Sequence, residues 1–239
     1  MALPISLSQA SLAATLLGSA CGTYHALTPP NPSEHKAPAT GDSIRGLYLT
    51  SKHTTRAIFA PLGLLALHAS SLALLYPDLP TFLLRNGAEN GFNADLITWS
   101  TSTAIPLAMI LCVGVPLRLV PYASLGKNFT FALREPDQLK TTGIYRYVQH
   151  PSYTGIFILM GANVVLLGRM DGVLSCWVPP EWYTAFAFWS WALSPVVISA
   201  VLYGIWTRVR EEEDMLKGAF KQDWENWHAR TARFIPFVL

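Results

Sequence analysis

Long apolar stretches alternate with shorter polar segments along the whole chain. Helices need about 20 apolar residues to cross a bilayer, and four stretches reach that length while a fifth is shorter. They run from Leu7 to Leu27, Ala57 to Tyr76, Leu96 to Val120, Tyr153 to Leu167 and Tyr183 to Trp206. Turn-forming pairs at Asp171-Gly172 and Pro179-Pro180 place the short stretch in a hairpin with the last one. The pattern predicts an all-α polytopic membrane bundle of about five transmembrane helices.

The composition supports lipid as the surroundings of this bundle. Hydrophobic residues make up 51% of the 239 positions and charged residues only 13%, whereas soluble domains carry about a quarter charged residues. A net charge of +2 without a Lys/Arg block argues against nucleic acid as a partner. The three cysteines lie far apart, so neither a disulfide framework nor a metal site is expected.

The distribution of basic residues predicts the orientation of the bundle. Most lysines and arginines lie in the 28–56 loop, the 118–150 segment and the tail after Trp206, while the loops at 77–95 and 168–182 have one each. Because cytosolic loops concentrate Lys and Arg, we expect a lumenal N terminus and a cytosolic C terminus.

The chain divides near residue 120 into two regions. Residues 1–120 hold the N-terminal transmembrane spans and, at 28–45, a connector rich in Pro, Ser and Thr. Residues 121–239 hold the segments that carry candidate chemistry, and we expect them to form a cytosolic helical cofactor region.

The first of these segments reads GIYRYVQHPSYTG at 143–155. His150 precedes a proline and is therefore biased toward extended backbone, while Pro151 suits the first position of a helix. Ser152 and Tyr153 then fall in the first helical turn, whose free N–H groups attract acceptors such as carboxylates. The segment predicts a ligand cradle at the membrane boundary.

The second segment reads RVREEEDML at 208–216. Arg208 and Glu212 are four positions apart and so share one face of a helix that continues from the last span. We assign function to this pair and expect Arg210, Glu211 and Asp214 to lie on a solvated face. Farther on, Trp224, Trp227 and Phe234 to Phe237 predict an amphipathic tail seated at the membrane interface.

At these segments the chain resembles the isoprenylcysteine carboxyl methyltransferase family. The resemblance covers about the last 115 residues and rests on LGKNFTFAL at 125–133, on QLKTTGIYRYVQHPSYTG at 138–155, on RVREEEDML and on AFKQDWENWHARTARFIPF at 219–237. It implies an integral membrane enzyme that uses S-adenosylmethionine to methylate the C-terminal carboxylate of prenylated CaaX proteins. It also implies the endoplasmic reticulum membrane, with the active site facing the cytosol.

The resemblance assigns roles to particular residues. The cofactor contacts it implies are Asp137, Gln138, Leu139, Lys140, Tyr145, His150, Pro151, Ser152, Tyr153 and Glu212. Arg208 would bind the substrate carboxylate and, with Glu212, form the catalytic pair. The family usually has Arg before its His-Pro step, where this chain has Gln149, and this difference bears on the identity of the substrate.

Three other functions compete with this interpretation. Within methyltransferases, the acceptor is alternatively a small lipid or terpenoid acid or alcohol. A membrane sterol or steroid reductase would bind a nicotinamide cofactor instead, but those enzymes tend to have Asn at the position of Ser152 and lack the triple glutamate. A non-catalytic membrane scaffold is the third alternative, and the intact set of site residues argues against it.

Overall fold

The computed structural model describes residues 5–31, 42–43 and 52–236, and within them the chain is helical, without a strand. The helices are α1 (Leu7–Leu27), α2 (Lys52–Leu75), α3 (Thr81–Leu84), α4 (Thr101–Ala108), α5 (Val115–Leu125), α6 (Pro151–Leu167) and α7 (Pro180–His228). Short 3-10 turns occupy Ala94–Leu96, Gly126–Asn128, Gly143–Arg146 and Val173–Cys176. Most of the expected connector at 28–45, with Lys36 and Arg45, lies outside the described residues, as does Phe237.

A helix lies at each of the five predicted spans. Three helical stretches are long and apolar enough to cross a membrane, namely His53–Leu75, Ala94–Asn128 and Pro180–His228. The prediction of an all-α fold is therefore confirmed, and these three stretches are candidate membrane spans among the described residues. The count of five stays a prediction, because α6 has only 17 residues and α1 includes polar residues such as Gln9 and Thr15.

The middle span is not a regular α-helix. Pro106 lies inside α4, and the backbone from Met109 to Gly114 is π-helical before α5 begins. Proline removes one hydrogen bond of the α-helical ladder, and π-turns are a common adjustment at such positions. The proline that the sequence places in this span thus coincides with a change of helical register.

One compact unit contains Met1–His25, Ile58–Val115 and Ile158–Pro195. Its core is apolar, with Leu12, Leu16, Leu72, Ile110 and Leu159 fully buried. Polar ties join its helices: the Ser70 hydroxyl donates to the Ala13 carbonyl at 3.1 Å, and the Asn163 amide donates to Thr23 Oγ1 at 3.0 Å. Buried polar groups paired in this way fix the register of neighbouring helices.

The second unit contains Ala26–Ala57, Pro116–Phe157 and Val196–Leu239. Its hydrophobic centre is formed by Tyr145, Trp224 and Trp227. The expected interfacial tail is therefore wrong for these two tryptophans, which are 6% and 7% exposed and pack in a protein core. A break in α7 at Lys221, where φ is 48°, precedes them. All of the candidate site residues belong to this unit.

Candidate active site

The His-Pro segment is held by the end of the chain. Val148 forms a parallel bridge with Ala232, and the His150 N–H donates to the Arg233 carbonyl at 2.9 Å. Gly143 opens this segment with φ +65°, a conformation that glycine adopts without strain. Pro151 then begins α6, as the sequence predicts.

His150 lies at the centre of a hydrogen-bonded chain of polar side chains. Its side chain is 2% exposed, and Nε2 lies 3.3 Å from Glu213 Oε1. Arg233 binds the same carboxylate through two bonds, Nε to Oε1 at 2.9 Å and Nη2 to Oε2 at 3.2 Å. With Nε2 donating, Nδ1 is an acceptor, and among the described residues it has no hydrogen-bond partner. This nitrogen is available to a ligand donor.

Glu212 faces the same histidine from α7. Its Oε2 accepts a hydrogen bond from the Tyr153 hydroxyl at 3.1 Å and lies 3.8 Å from His150 Nδ1. The Glu212 side chain is 31% exposed, so part of the carboxylate remains accessible. Burial raises the pKa of Tyr145, and the Glu212 carboxylate raises that pKa further. Tyr145 is therefore a neutral phenol beside an accessible negative charge.

Arg208 lies one helical turn before Glu212 and is already paired. Its Nη1 donates to Asp42 Oδ1 at 2.8 Å, and both side chains are almost fully buried. Its Nη2 donates to the Phe131 carbonyl. Asp42 also accepts from the Leu133 N–H at 2.8 Å. The guanidinium that the sequence assigns to the substrate is thus positioned by a carboxylate from the connector.

Ser152, in the first turn of α6, contacts a second buried arginine. Its hydroxyl accepts a hydrogen bond from Arg118 Nη1. Arg118 Nε donates to the Ala26 carbonyl at 3.0 Å, and Nη2 donates to the Tyr122 hydroxyl at 2.7 Å. Arg118 belongs to the basic 118–150 segment that predicts the cytosolic side, but its exposed fraction is 3%.

An open cleft of about 840 Å³ lies next to the His-Pro segment. Three of the expected cofactor contacts line it, and the opposite wall comes from the end of α7 and the turn that follows. The lining includes Asp137, Gln138, Leu139, Thr141, Arg146, Phe220, Asp223, Asn226, Trp227, Arg230 and Thr231. Lys140 is half-buried and is not part of this lining. Trp227 and Thr231 connect the cleft to the His-Pro segment, because Trp227 Nε1 donates to the Tyr145 carbonyl at 2.9 Å.

Gln149 bonds to the chain end, which was not anticipated from the sequence. Its amide nitrogen donates to the carbonyls of Thr231 and His228, and its amide oxygen lies 2.8 Å from His228 Nδ1. The residue is 4% exposed. In this structure the amide therefore fastens the His-Pro segment to the C-terminal segment.

We expect Gln149→Leu to lower the free energy of unfolding by about 2 kcal/mol, since it leaves buried polar groups of His228 and Thr231 without partners. Thermal unfolding of the purified chain in detergent measures this loss. Gln222→Leu is the matched control, because Gln222 is exposed and bonds only to Asn226 among the described residues. Equal unfolding temperatures for the two variants would contradict the role of Gln149.

Four partners of the site were missed from the sequence: Asp42, Arg118, Glu213 and Arg233. Asp42 and Arg233 are distant in sequence from the residues that they bind, so no spacing indicates them. Arg118 did have a signal, since an ionisable residue in an apolar span marks a functional site by default. Glu213 adjoins Glu212 and contacts the other ring nitrogen of the same histidine, a contact that local spacing does not indicate.

Part of the chain matches a known protein family. Residues 107–218 match the isoprenylcysteine carboxyl methyltransferase family model. A Schizosaccharomyces pombe protein-S-isoprenylcysteine O-methyltransferase is 29% identical over 54% of this chain and 47% of its own length. A probable protein-S-isoprenylcysteine O-methyltransferase of rice (Oryza sativa subsp. indica) is 23% identical over 86% of this chain and 90% of its own length.

The corresponding Dictyostelium discoideum enzyme is 25% identical over 55% of this chain and 48% of its own length. The alignments thus span about half the length of the yeast and Dictyostelium relatives and most of the rice relative. The matched region contains His150, Tyr153, Arg208 and Glu212. Through residues 107–218, the chain is thus similar to the isoprenylcysteine carboxyl methyltransferase family.

Proposed function

We propose that this protein transfers a methyl group from S-adenosylmethionine to the C-terminal carboxylate of a prenylated cysteine. The observation that carries the proposal is the meeting of His150 and Tyr153 with Glu212, beside Arg208. The match to the family model and the names of the relatives support the reaction type. The apolar helices support a membrane location, which suits a lipid-modified substrate.

The residues of the site fit the cofactor that the family implies. Four buried side-chain atoms among the described residues have no hydrogen-bond partner, on Asn128, His150, Asn163 and Trp224, and of these His150 Nδ1 faces Glu212 in the site. Buried polar groups are nearly always paired, so each such atom indicates a missing partner. Glu212 supplies an accessible carboxylate for a cationic group. The cleft beside them has aromatic walls at Phe220 and Trp227, which suit a nucleoside.

S-adenosylmethionine would supply an electrophilic methyl group. The acceptor carboxylate is ionised at neutral pH, so the site needs no general base. We assign to Arg208 the orientation of that carboxylate, because its guanidinium is buried and held in place by Asp42. Glu212 holds the cofactor from the next helical turn. Exclusion of water from the carboxylate and its alignment with the methyl group supply the rate enhancement.

The proposed site lies at the 118–150 segment and the tail after Trp206, which are both rich in Lys and Arg. We therefore place it on the cytosolic face, where C-terminal cysteines of prenylated proteins are found. We assign the protein to the endoplasmic reticulum membrane on the family resemblance. Protease accessibility of the C terminus in sealed microsomes tests this orientation.

Membranes that contain this chain should methylate N-acetyl-S-farnesylcysteine when supplied with radiolabelled S-adenosylmethionine. The same assay with N-acetylcysteine tests the need for the prenyl group, and free terpenoid acids test the alternative acceptor. We expect base-labile radioactivity with the farnesylated compound and background with N-acetylcysteine. Methylation of terpenoid acids alone would refute the proposed acceptor while retaining the methyl transfer.

A further inference from the structure

Arg118 is a buried cation whose charge no carboxylate balances in the described part of the chain. Its exposed fraction is 3%, and the ion pairs found among the described residues do not include it. Its three nitrogen atoms donate to neutral oxygens, those of Ala26, Tyr122 and Ser152. Burying a charge without a counter-ion is costly, so the site would gain from an anion that completes it.

Arg208 differs from Arg118 in having carboxylate partners. Both guanidinium groups are equally buried, but Arg208 has Asp42 at 2.8 Å and Glu211 at 3.6 Å. A guanidinium carries five N–H donors, and the contacts of Arg118 occupy three of them. One hydrogen on each terminal nitrogen remains, which is the pair that binds a carboxylate through two parallel bonds.

Aromatic rings surround the Arg118 guanidinium. The rings of Tyr122, Phe129 and Phe131 have their centroids 5.1, 5.7 and 5.1 Å from its central carbon. Such contacts partly compensate the charge and exclude water from it. A carboxylate that reaches the edge of the group would therefore bind in a dry setting, where charge-assisted hydrogen bonds are strong.

The position of Arg118 connects it to the proposed cofactor site. Through Ser152 it contacts the first turn of α6, next to Tyr153. Tyr145 lies within electrostatic range of both Arg118 and Glu212. A cation and an anion thus both act on one tyrosine, which suits a zwitterionic group such as the amino-acid end of S-adenosylmethionine.

We propose that Arg118 binds a carboxylate group in this site, an inference that rests on the proposed function. Two carboxylates meet there, that of the cofactor and that of the acceptor. The negative charge of Glu212 would attract the ammonium group of the cofactor. This favours the cofactor carboxylate as the partner of Arg118. Arg208 would then serve the acceptor.

The test compares two probes in equilibrium binding to the purified full chain. S-adenosylhomocysteine carries the amino-acid group, and 5′-methylthioadenosine lacks it. We expect Arg118→Gln to weaken S-adenosylhomocysteine binding roughly 10- to 100-fold and to leave methylthioadenosine binding unchanged. Arg118→Lys keeps the charge without the two-pronged geometry and should weaken only the first probe, by a smaller factor. Arg118→Lys also tests the inference if Arg118→Gln fails to fold. Arg56→Gln, at an exposed position, is the matched control.

A raised KM for N-acetyl-S-farnesylcysteine with unchanged binding of both probes would support Arg118 as a carboxylate site and identify the acceptor as its source. Unchanged binding and unchanged KM in a folded Arg118 variant would overturn the inference and leave the proposed function intact. If the wild-type chain binds neither probe, the proposed function is refuted and the Arg118 inference with it.

Discussion

Glu212→Gln should reduce methyl transfer about 100-fold, equivalent to roughly 2.7 kcal/mol of transition-state stabilisation. The substitution keeps the size of the side chain and its bond with Tyr153, but removes the accessible negative charge beside His150. A cofactor that carries a sulfonium and an ammonium group would lose its counter-charge in a partly buried setting. Steady-state methylation of N-acetyl-S-farnesylcysteine measures the effect.

The matched control is Asp214→Asn, which removes a charge from the same acidic run at an exposed position. We expect its activity to stay within twofold of wild type, a range typical of changes to surface charge. The affinities of Glu212→Gln for S-adenosylmethionine and S-adenosylhomocysteine then identify which cationic group of the cofactor Glu212 contacts. A larger loss for S-adenosylmethionine indicates the sulfonium, and equal losses indicate the ammonium. Equal activity of the Glu212 and Asp214 variants would remove Glu212 from the site.

The helices could be predicted from the sequence because their signals are local. Apolar runs mark membrane-grade helices wherever they occur, and the His150-Pro151 step marks the start of α6. The break at Lys221 could not be predicted in this way, since lysine at positive φ has no sequence signature. Without that break, the sequence pattern predicts Trp224 and Trp227 at the membrane interface and not in the core around Tyr145.

The residues of the site also divide into those that local sequence spacing predicts and those that it does not. Arg208 and Glu212 are one helical turn apart, so their common face follows from spacing alone, and their meeting with Tyr153 follows from the family resemblance. Asp42 and Arg233 join the site through tertiary contacts over long sequence separations. Such contacts balance buried charges, and a single sequence does not encode them in any periodic form. The electrostatics of the site therefore had to be learned from the structure.

Arg208→Gln should abolish detectable carboxyl methylation and also destabilise the fold. The buried Asp42 carboxylate loses its arginine, and breaking a buried pair by removing one partner costs about 3–5 kcal/mol. Loss of activity alone would not separate binding of the acceptor from support of the fold. The variant must therefore be compared with one in which the partner charge is removed as well.

The double variant Asp42→Asn/Arg208→Gln makes this separation, because it leaves a neutral pair in place of the buried charges. Replacing both members of a buried ion pair is often nearly neutral for stability, so its unfolding temperature should return toward that of wild type. If Arg208 orients the acceptor carboxylate, methylation stays absent although stability recovers. If Arg208 only balances Asp42, stability and methylation recover together, and the acceptor carboxylate must bind to another cation.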